Sequence, residues 1–182
     1  SAGGFKLTGG AAVDNLTGTA QADTFTIASS GEGNSDVFDG GGGTDTLQAS
    51  AGSHVFASDA TFANIETVLA HASGSSINLS AQSEGFTITG GTGVDILRGG
   101  AGNDIITSDG GFDLLYGGAG NDILYSNSHH QLKMTGGDGN DVFVIEYDTG
   151  WRWDSGSSFN GNDNNGDSTL NFDEYYSIQG VV

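Results

Sequence analysis

The sequence predicts an all-β fold: a parallel β-roll (a right-handed β-solenoid of about 18 residues per coil) closed by an irregular aromatic C-terminal cap. Three observations predict it. Gly, Asp and apolar residues recur at a nine-residue interval through much of the 182-residue chain. The apolar stretches between the Gly-rich turns, such as Asp104-Ile-Ile-Thr, are short and rich in β-branched residues, which marks brief strands and not helix. And 33 Gly residues with a formal charge of −19 make a chain that resists ordering. Each Gly loses more backbone entropy than other residues do, and the carboxylates repel one another. Large, regularly placed Phe, Ile, Leu and Val nevertheless argue for a folded state, one that draws free energy from outside the chain. A multivalent cation would supply it.

The repeat is clearest from 90 to 125. Its blocks run Gly90 to Asp95 and Leu97, Gly99 to Asp104 and Ile106, Ser108 to Asp113 and Leu115, and Gly117 to Asp122 and Leu124. After one degenerate turn, Gly136 leads to Asp141 and Phe143. Toward the N-terminus the same frame gives Gly9 to Asp14 and Leu16, Gly18 to Asp23 and Phe25, Gly31 to Asp36 and Phe38, and Gly40 to Asp45 and Leu47. Each block has an acid at its sixth position and an apolar residue at its eighth. Between these stretches the apolar beat continues through Phe56, Ile65, Leu79 and Ile88 with no acid at the sixth position. The expected organisation is therefore N-terminal coils over 1–48, a metal-poor solenoid spacer over 49–89, the main roll over 90–145 and a cap over 146–182. The offsets at 25–38, 65–79 and 124–134 are expected to be loops bulging from the coil.

Two blocks make one coil, so residues 18 apart stack on successive coils. This sets Asp95 over Asp113 and Asp104 over Asp122, with Asp141 near register below Asp122. Asp14 over Asp36 and Asp23 over Asp45 straddle a common insertion. Stacked carboxylates are untenable without a counter-ion. Oxygen-only donors, some of them turn carbonyls, favour a hard cation of high coordination number. Calcium fits this better than magnesium with its tight octahedron, and zinc would want His or Cys in the turns. Plain solvated Asn/Asp/Gly turns would not require Asp at one phase of a nine-residue frame.

These blocks resemble the calcium-binding nonapeptides of the RTX (repeat-in-toxin) family, Gly-Gly-x-Gly-x-Asp-x-apolar-x, over roughly 9–48 and 90–144. The resemblance implies several calcium ions held by Asp14, Asp23, Asp36, Asp45, Asp95, Asp104, Asp113, Asp122 and Asp141, with turn carbonyls such as those of Gly90, Gly99, Gly117 and Gly136. One coil beyond Asp113 stand only Gln131 and Leu132, so that ladder is expected to be interrupted. The family also implies type I secretion, with calcium bound after the chain leaves a calcium-poor cytoplasm.

After Val144 aromatics cluster: Tyr147, Trp151, Trp153, Phe159, Phe172, Tyr175 and Tyr176. A solenoid end needs a cap, which is the reading taken for them, with a carbohydrate-stacking platform as the alternative. Within this stretch, residues 163–174 resemble an EF-hand loop. Asp163, Asn165 and Asp167 stand at positions 1, 3 and 5, the Thr169 carbonyl at 7, Asn171 at 9 and Glu174 at 12. Ser168 replaces the usual Gly at position 6.

The charge argues against nucleic acid and anionic membrane surfaces as partners. No apolar run reaches the roughly 18 residues of a membrane span. The absence of Cys rules out a disulfide framework and a thiol nucleophile. The Ser1-Ala2-Gly3-Gly4 start lacks the charged and apolar regions of a signal peptide, and a first residue other than Met is read as a processed or excised chain. No catalytic motif is found: the four His make no His-Glu-x-x-His pattern, no Gly-x-Ser-x-Gly occurs, and the Gly-rich turns carry no Lys or Arg for phosphate. His129 and His130 are read as loop residues, with a transition-metal contact as the alternative. The expected role is a non-enzymatic, calcium-binding structural module of a secreted or cell-surface protein, open to homotypic assembly into a layer or filament. Two further readings stay open. One is a glycan- or surface-binding adhesin module, prompted by the pairs Thr17/Thr19, Thr24/Thr26, Thr44/Thr46 and Thr87/Thr89. The other is the secretion and folding module of a hydrolase.

Overall fold

The computed structural model describes residues 4–9, 12–30, 35–127 and 133–146, together with the backbone of two later strands, Ser158–Asn160 and Thr169–Asp173. Every strand pairing among them is parallel, and each strand meets the next one a full coil later in sequence. One face is a continuous nine-stranded sheet: Lys6–Thr8, Thr24–Thr26, Thr46–Gln48, Thr67–Leu69, Thr87–Thr89, Ile105–Ser108, Ile123–Ser126, Val142–Glu146 and Thr169–Asp173. Two shorter sheets complete the solenoid. One has three strands, Asn15–Thr17, Val37–Asp39 and Phe62–Ala63. The other has six: Gly52–Val55, Ser75–Asn78, Ile96–Arg98, Leu114–Ala119, Lys133–Asp138 and Ser158–Asn160. No α-helix occurs among the described residues; a single 3-10 turn, Asp59–Thr61, lies between two strands of the spacer.

Most strands are three to six residues long, and their middle residue points inward because side chains alternate across a pleat. Phe25, Phe38, Leu47, Ile88, Leu97, Ile106, Leu115, Leu124, Met134 and Phe143 are all buried, and Leu16 packs against them, as the nine-residue frame requires. In the main roll the register is 18, pairing Leu97 with Leu115 and Ile106 with Leu124. It widens to 19 where Leu115 meets Met134 and Leu124 meets Phe143.

The spacer corrects the expected frame. Phe56, Ile65 and Leu79 are buried as expected, but they are not strand centres. The inward residues of the spacer strands are His54, Phe62, Val68 and Ile77. Leu47 pairs with Val68 and Val68 with Ile88, steps of 21 and 20 residues, while Phe38 pairs with Phe62 and His54 with Ile77, steps of 24 and 23. One coil here carries two strands opposite the nine-stranded sheet: Gly52–Val55 opens the six-stranded sheet and Phe62–Ala63 closes the three-stranded one.

At that changeover the core is aromatic. Phe38 meets Phe25, Phe56 and Phe62 edge-on at centroid distances of 5.8, 6.2 and 6.1 Å, Phe56 lies 4.4 Å from Phe62, and Phe86 lies 5.9 Å from Phe62. Such pairs contribute about 0.5–1.5 kcal/mol each beyond the area they bury. Long, irregular coils are thus filled by large rings where short, regular coils need only Leu and Ile.

At the C-terminal end, Thr169–Asp173 pairs with Val142–Glu146 and Ser158–Asn160 with Lys133–Asp138, so both sheets gain a strand inside the stretch read as a cap. Thr169 and Asn171, expected in the EF-hand-like loop, lie in the first of these strands. Asp163, Asn165, Asp167, Glu174 and the His129–His130 pair lie outside the described residues.

Candidate metal centre

Each acid of the nine-residue frame sits immediately before a strand. The register that stacks the strands therefore stacks the acids. Along the edge leading into the nine-stranded sheet, the Asp104 amide donates to Asp122 Oδ1 at 2.8 Å and the Asp122 amide to Asp141 Oδ1 at 3.0 Å. In the N-terminal coils the Asp23 amide donates to Asp45 Oδ1 at 2.6 Å. On the opposite edge the Asp95 amide donates to Asp113 Oδ1 at 2.8 Å, and the Asp14 amide to Asp36 Oδ1 at 2.9 Å. All five expected acid pairs are brought together.

The second carboxylate oxygen faces its own turn. Asp95 Oδ2 accepts the Gly91 amide and Asp104 Oδ2 the Gly100 amide, both at 2.8 Å, and Asp113 Oδ2 accepts the Ser108 hydroxyl at 2.7 Å. In several blocks the first Gly is required by space. A Cβ on Gly99 would run into Asp104 Oδ2 and the Gly117 carbonyl oxygen; on Gly117 it would meet Asp122 Oδ2 and the Gly136 carbonyl oxygen. On Gly90 it would touch Asp95 Oδ2 at 3.0 Å and the Thr107 carbonyl at 3.3 Å. The missing Cβ thus leaves a carboxylate oxygen and a carbonyl oxygen of the next coil side by side. A second ladder runs outside the acids: the Asn121 amide donates to Asn103 Oδ1 at 2.7 Å and the Asn140 amide to Asn121 Oδ1 at 2.8 Å.

All of these carboxylates except the half-buried Asp14 are buried; Asp45, Asp95, Asp113, Asp122 and Asp141 are 0% exposed. Burial pushes the carboxyl groups of Asp45, Asp95 and Asp104 above the usual range, against the pull of the amides that bond them. Asp122 is pushed up to about 7, by burial first and then by the neighbouring charges of Asp104 and Asp141. Asp23 goes the other way, because the Phe5 amide and then Thr19 favour its charged form. Asp45 Oδ2 and Asp122 Oδ2 are buried with no hydrogen-bond partner. Two like charges one strand spacing apart, about 4.8 Å, repel by roughly 3–4 kcal/mol at an effective dielectric of about 20. The protein itself has four Lys and Arg residues against 23 acids, and one of these, Arg98, lies over the Tyr116 ring at 4.4 Å.

This donor set fits a hard cation. Among the described residues no three His, Cys, Asp or Glu side chains converge, so a cation must take carbonyl oxygens along with paired carboxylates. Calcium accepts that mixture, whereas zinc does not favour it.

One acid of the ladder escaped the sequence reading. Glu66 follows Asp45 on the same edge, and its Oε2 accepts the Asp45 amide at 2.7 Å, as an Asp does in the other coils. No Gly-rich turn precedes it, so the nine-residue frame does not point to it; the signal was an acid directly before a strand, Thr67–Leu69. Phe86 holds the following rung. Its amide donates to Asp104 Oδ1 at 2.7 Å, but it brings no acid. On the other edge Ser75 plays the same part, donating its amide to Asp95 Oδ1 at 2.6 Å.

A solenoid of parallel coils whose turns stack buried carboxylates against backbone carbonyls is a metal-binding β-roll. Four stretches of the solenoid match the model of the RTX calcium-binding nonapeptide repeat, at residues 7–26, 30–53, 87–115 and 106–128. The chain thus contains a calcium-binding β-roll module. Comparison with curated proteins and with solved structures finds no match. The matched segments leave out the spacer coils around Glu66 and the Gly136–Asp141 turn, which continues the Asp104–Asp122 ladder.

Proposed function

We propose that the chain is a non-enzymatic structural module of a secreted or cell-surface protein, and that it closes into its β-roll on binding calcium outside the cell. The observation that carries this reading is the burial of stacked carboxylates whose nearest charges are also negative. Asp122, between Asp104 and Asp141, is the extreme case. The position-six acids, from Asp14 to Asp141, are the calcium ligands in this reading, with carbonyl oxygens such as those of Gly117 and Gly136 beside them. Without the ion these groups repel and the Gly-rich chain stays expanded; with it, the free energy of binding becomes free energy of folding. Extracellular calcium sites bind at about 10⁻⁴–10⁻³ M, which would separate a calcium-poor interior from the outside. A calcium titration followed by circular dichroism tests this: β-signal should rise over that range, and β-signal unchanged by chelator would refute it.

A second reading, adhesion to a hydroxyl-rich surface, is favoured by the outer face of the nine-stranded sheet. Register places Thr24, Thr46, Thr67 and Thr87 in one column; in the next, Thr89 and Thr107 are adjacent, while Gln48 and Leu69 separate them from Thr26, whose hydroxyl is buried. These columns differ from the pairs expected from sequence, since Thr17 lies on the three-stranded sheet and Thr19 and Thr44 lie in turns. Replacing Thr67 and Thr87 by Ala, which adds no charge, should weaken retention on insoluble polysaccharide without altering calcium response; equal retention would remove this reading.

A further inference from the structure

The calcium ladder does not stop where the nonapeptides stop. Beside Gly40, the space a Cβ would fill is bounded by Asp45 Oδ2 and by the carbonyl oxygen of Asn64. The same pair recurs in the matched coils: Asp23 Oδ2 with the Gly40 carbonyl beside Gly18, Asp104 Oδ2 with the Gly117 carbonyl beside Gly99, and Asp122 Oδ2 with the Gly136 carbonyl beside Gly117. Asn64 thus takes the place of the next coil's first Gly, although its turn is only three residues long, Asn64-Ile65-Glu66 between the strands Phe62–Ala63 and Thr67–Leu69. Its backbone reaches that place by another route, since Gly18, Gly40, Gly99 and Gly117 do not have positive φ. With φ of 54°, Asn64 is the one non-Gly residue in the left-handed region among the described residues. Its side chain is tied down as well, donating to Asp39 Oδ1 at 2.7 Å.

Independently, Asp45 is fully buried and its Oδ2 has no hydrogen-bond partner. The charged groups acting on it, Glu66, Asp23 and Asp39, are all negative. Glu66 is exposed, and its Oε2 accepts the Asp45 amide. A Glu is one methylene longer than an Asp, and this turn is shorter than the Gly40–Asp45 turn above it.

We propose that the Gly40–Asp45 turn and the Asn64–Glu66 turn hold a calcium ion between them, with Asp45 Oδ2, the Asn64 carbonyl oxygen and the Glu66 carboxylate as its protein ligands. The site lies partly outside the nonapeptide repeats and gives the spacer a metal clamp of its own. It ends at Phe86, the next rung, which brings no acid. The inference rests on the calcium reading above.

The test counts calcium ions by isothermal titration calorimetry and native mass spectrometry on the full chain after chelator treatment. Glu66→Gln keeps an acceptor for the Asp45 amide, and Glu84→Gln, a spacer acid outside the ladder, is the control. The expected result is one calcium fewer, or one site at least tenfold weaker, in Glu66→Gln and in Asp45→Asn, with Glu84→Gln unchanged. A wild-type count and isotherm for Glu66→Gln would overturn the site. Wild-type protein that binds no calcium would instead overturn the underlying reading. Hydrogen exchange on unmutated protein supplies the second measurement. Calcium should protect the amides of 66–69; protection there that ignores calcium, while strands 105–108 respond, would also overturn the site.

Discussion

The main roll and the spacer build the same parallel coil by different means. From 90 to 145 the coils are 18 or 19 residues long, their cores hold one Leu, Ile, Met or Phe per strand, and their turns are stacked acids. From 49 to 89 the steps lengthen to 20–24 residues, the turns are nearly free of ladder acids, and a cluster of Phe rings fills the interior. Where a cation can neutralise the turns, a thin core suffices and the repeat stays strict. Where it cannot, apolar area must hold the coil and the period is free to drift. Glu66 stands at the boundary, an acid of the first kind placed in a coil of the second.

Removing calcium should separate the two regions most sharply. With chelator, the strands of the main roll should lose their β-signal, and a chain that keeps its full circular dichroism spectrum would abolish the distinction. Next in size is Phe62→Ala. Phe62 contacts Phe38, Phe56 and Phe86, and truncating such a ring costs about 3–5 kcal/mol. Guanidinium unfolding at saturating calcium should show that loss; a change below about 1 kcal/mol would mean the rings do not hold the spacer.

Asp104→Ala follows. It strips acceptors from the Phe86 and Gly100 amides, besides removing a ligand. The calcium midpoint of folding should rise at least tenfold. Asp59→Ala, which loses only exposed contacts to Ser83, should leave it nearly unchanged. Equal midpoints would contradict the ladder.

A smaller effect is expected from pH in the absence of calcium. The raised carboxyl of Asp122 contributes stability to the metal-free fold that is fully present below the ordinary value of 3.8 and is lost as pH rises through about 7. Asp45, Asp95 and Asp104 are shifted in the same direction, while Asp23, shifted down, contributes stability that is lost on acidification. In chelator, β-signal at pH 5 should therefore exceed that at pH 8, and the reverse order would contradict the burial of uncompensated charge. The smallest effect concerns His54, fully buried at a strand centre, with Nδ1 unpartnered and Nε2 on the Ser50 carbonyl at 3.0 Å. Ser75 Oγ also donates to that carbonyl, so His54→Leu should be neutral or stabilising by about 1 kcal/mol. Calorimetry showing a large loss would reveal a contact that holds the spacer.

What could be read in advance follows the same division. In the acid-bearing coils one residue type answers each demand: Gly where a Cβ would strike an oxygen, Asp where the amide of the preceding coil needs a carboxylate, an apolar residue at the strand centre. The frame from Asp95 to Asp141 was therefore legible, down to its pairs. In the spacer several residue types serve one need. Phe56, Ile65 and Leu79 kept the nine-residue beat while packing at corners, and a histidine, His54, took a strand centre that patterning would reserve for an apolar side chain. Glu66 was hidden because an Asn-Ile-Glu turn with Asn64 in the left-handed region replaces the Gly-rich loop. The outer Thr columns were only half visible, since they form across coils of unequal length and not along the chain.

Hydrogen exchange resolved by strand, with and without calcium, bears most directly on the claim that buried carboxylates stack only around a cation. The strands Ile105–Ser108, Leu114–Ala119 and Ile123–Ser126 should gain at least a hundredfold protection when calcium is added. Equal, strong protection of those amides in chelator would show a roll that closes without metal, and would contradict the account.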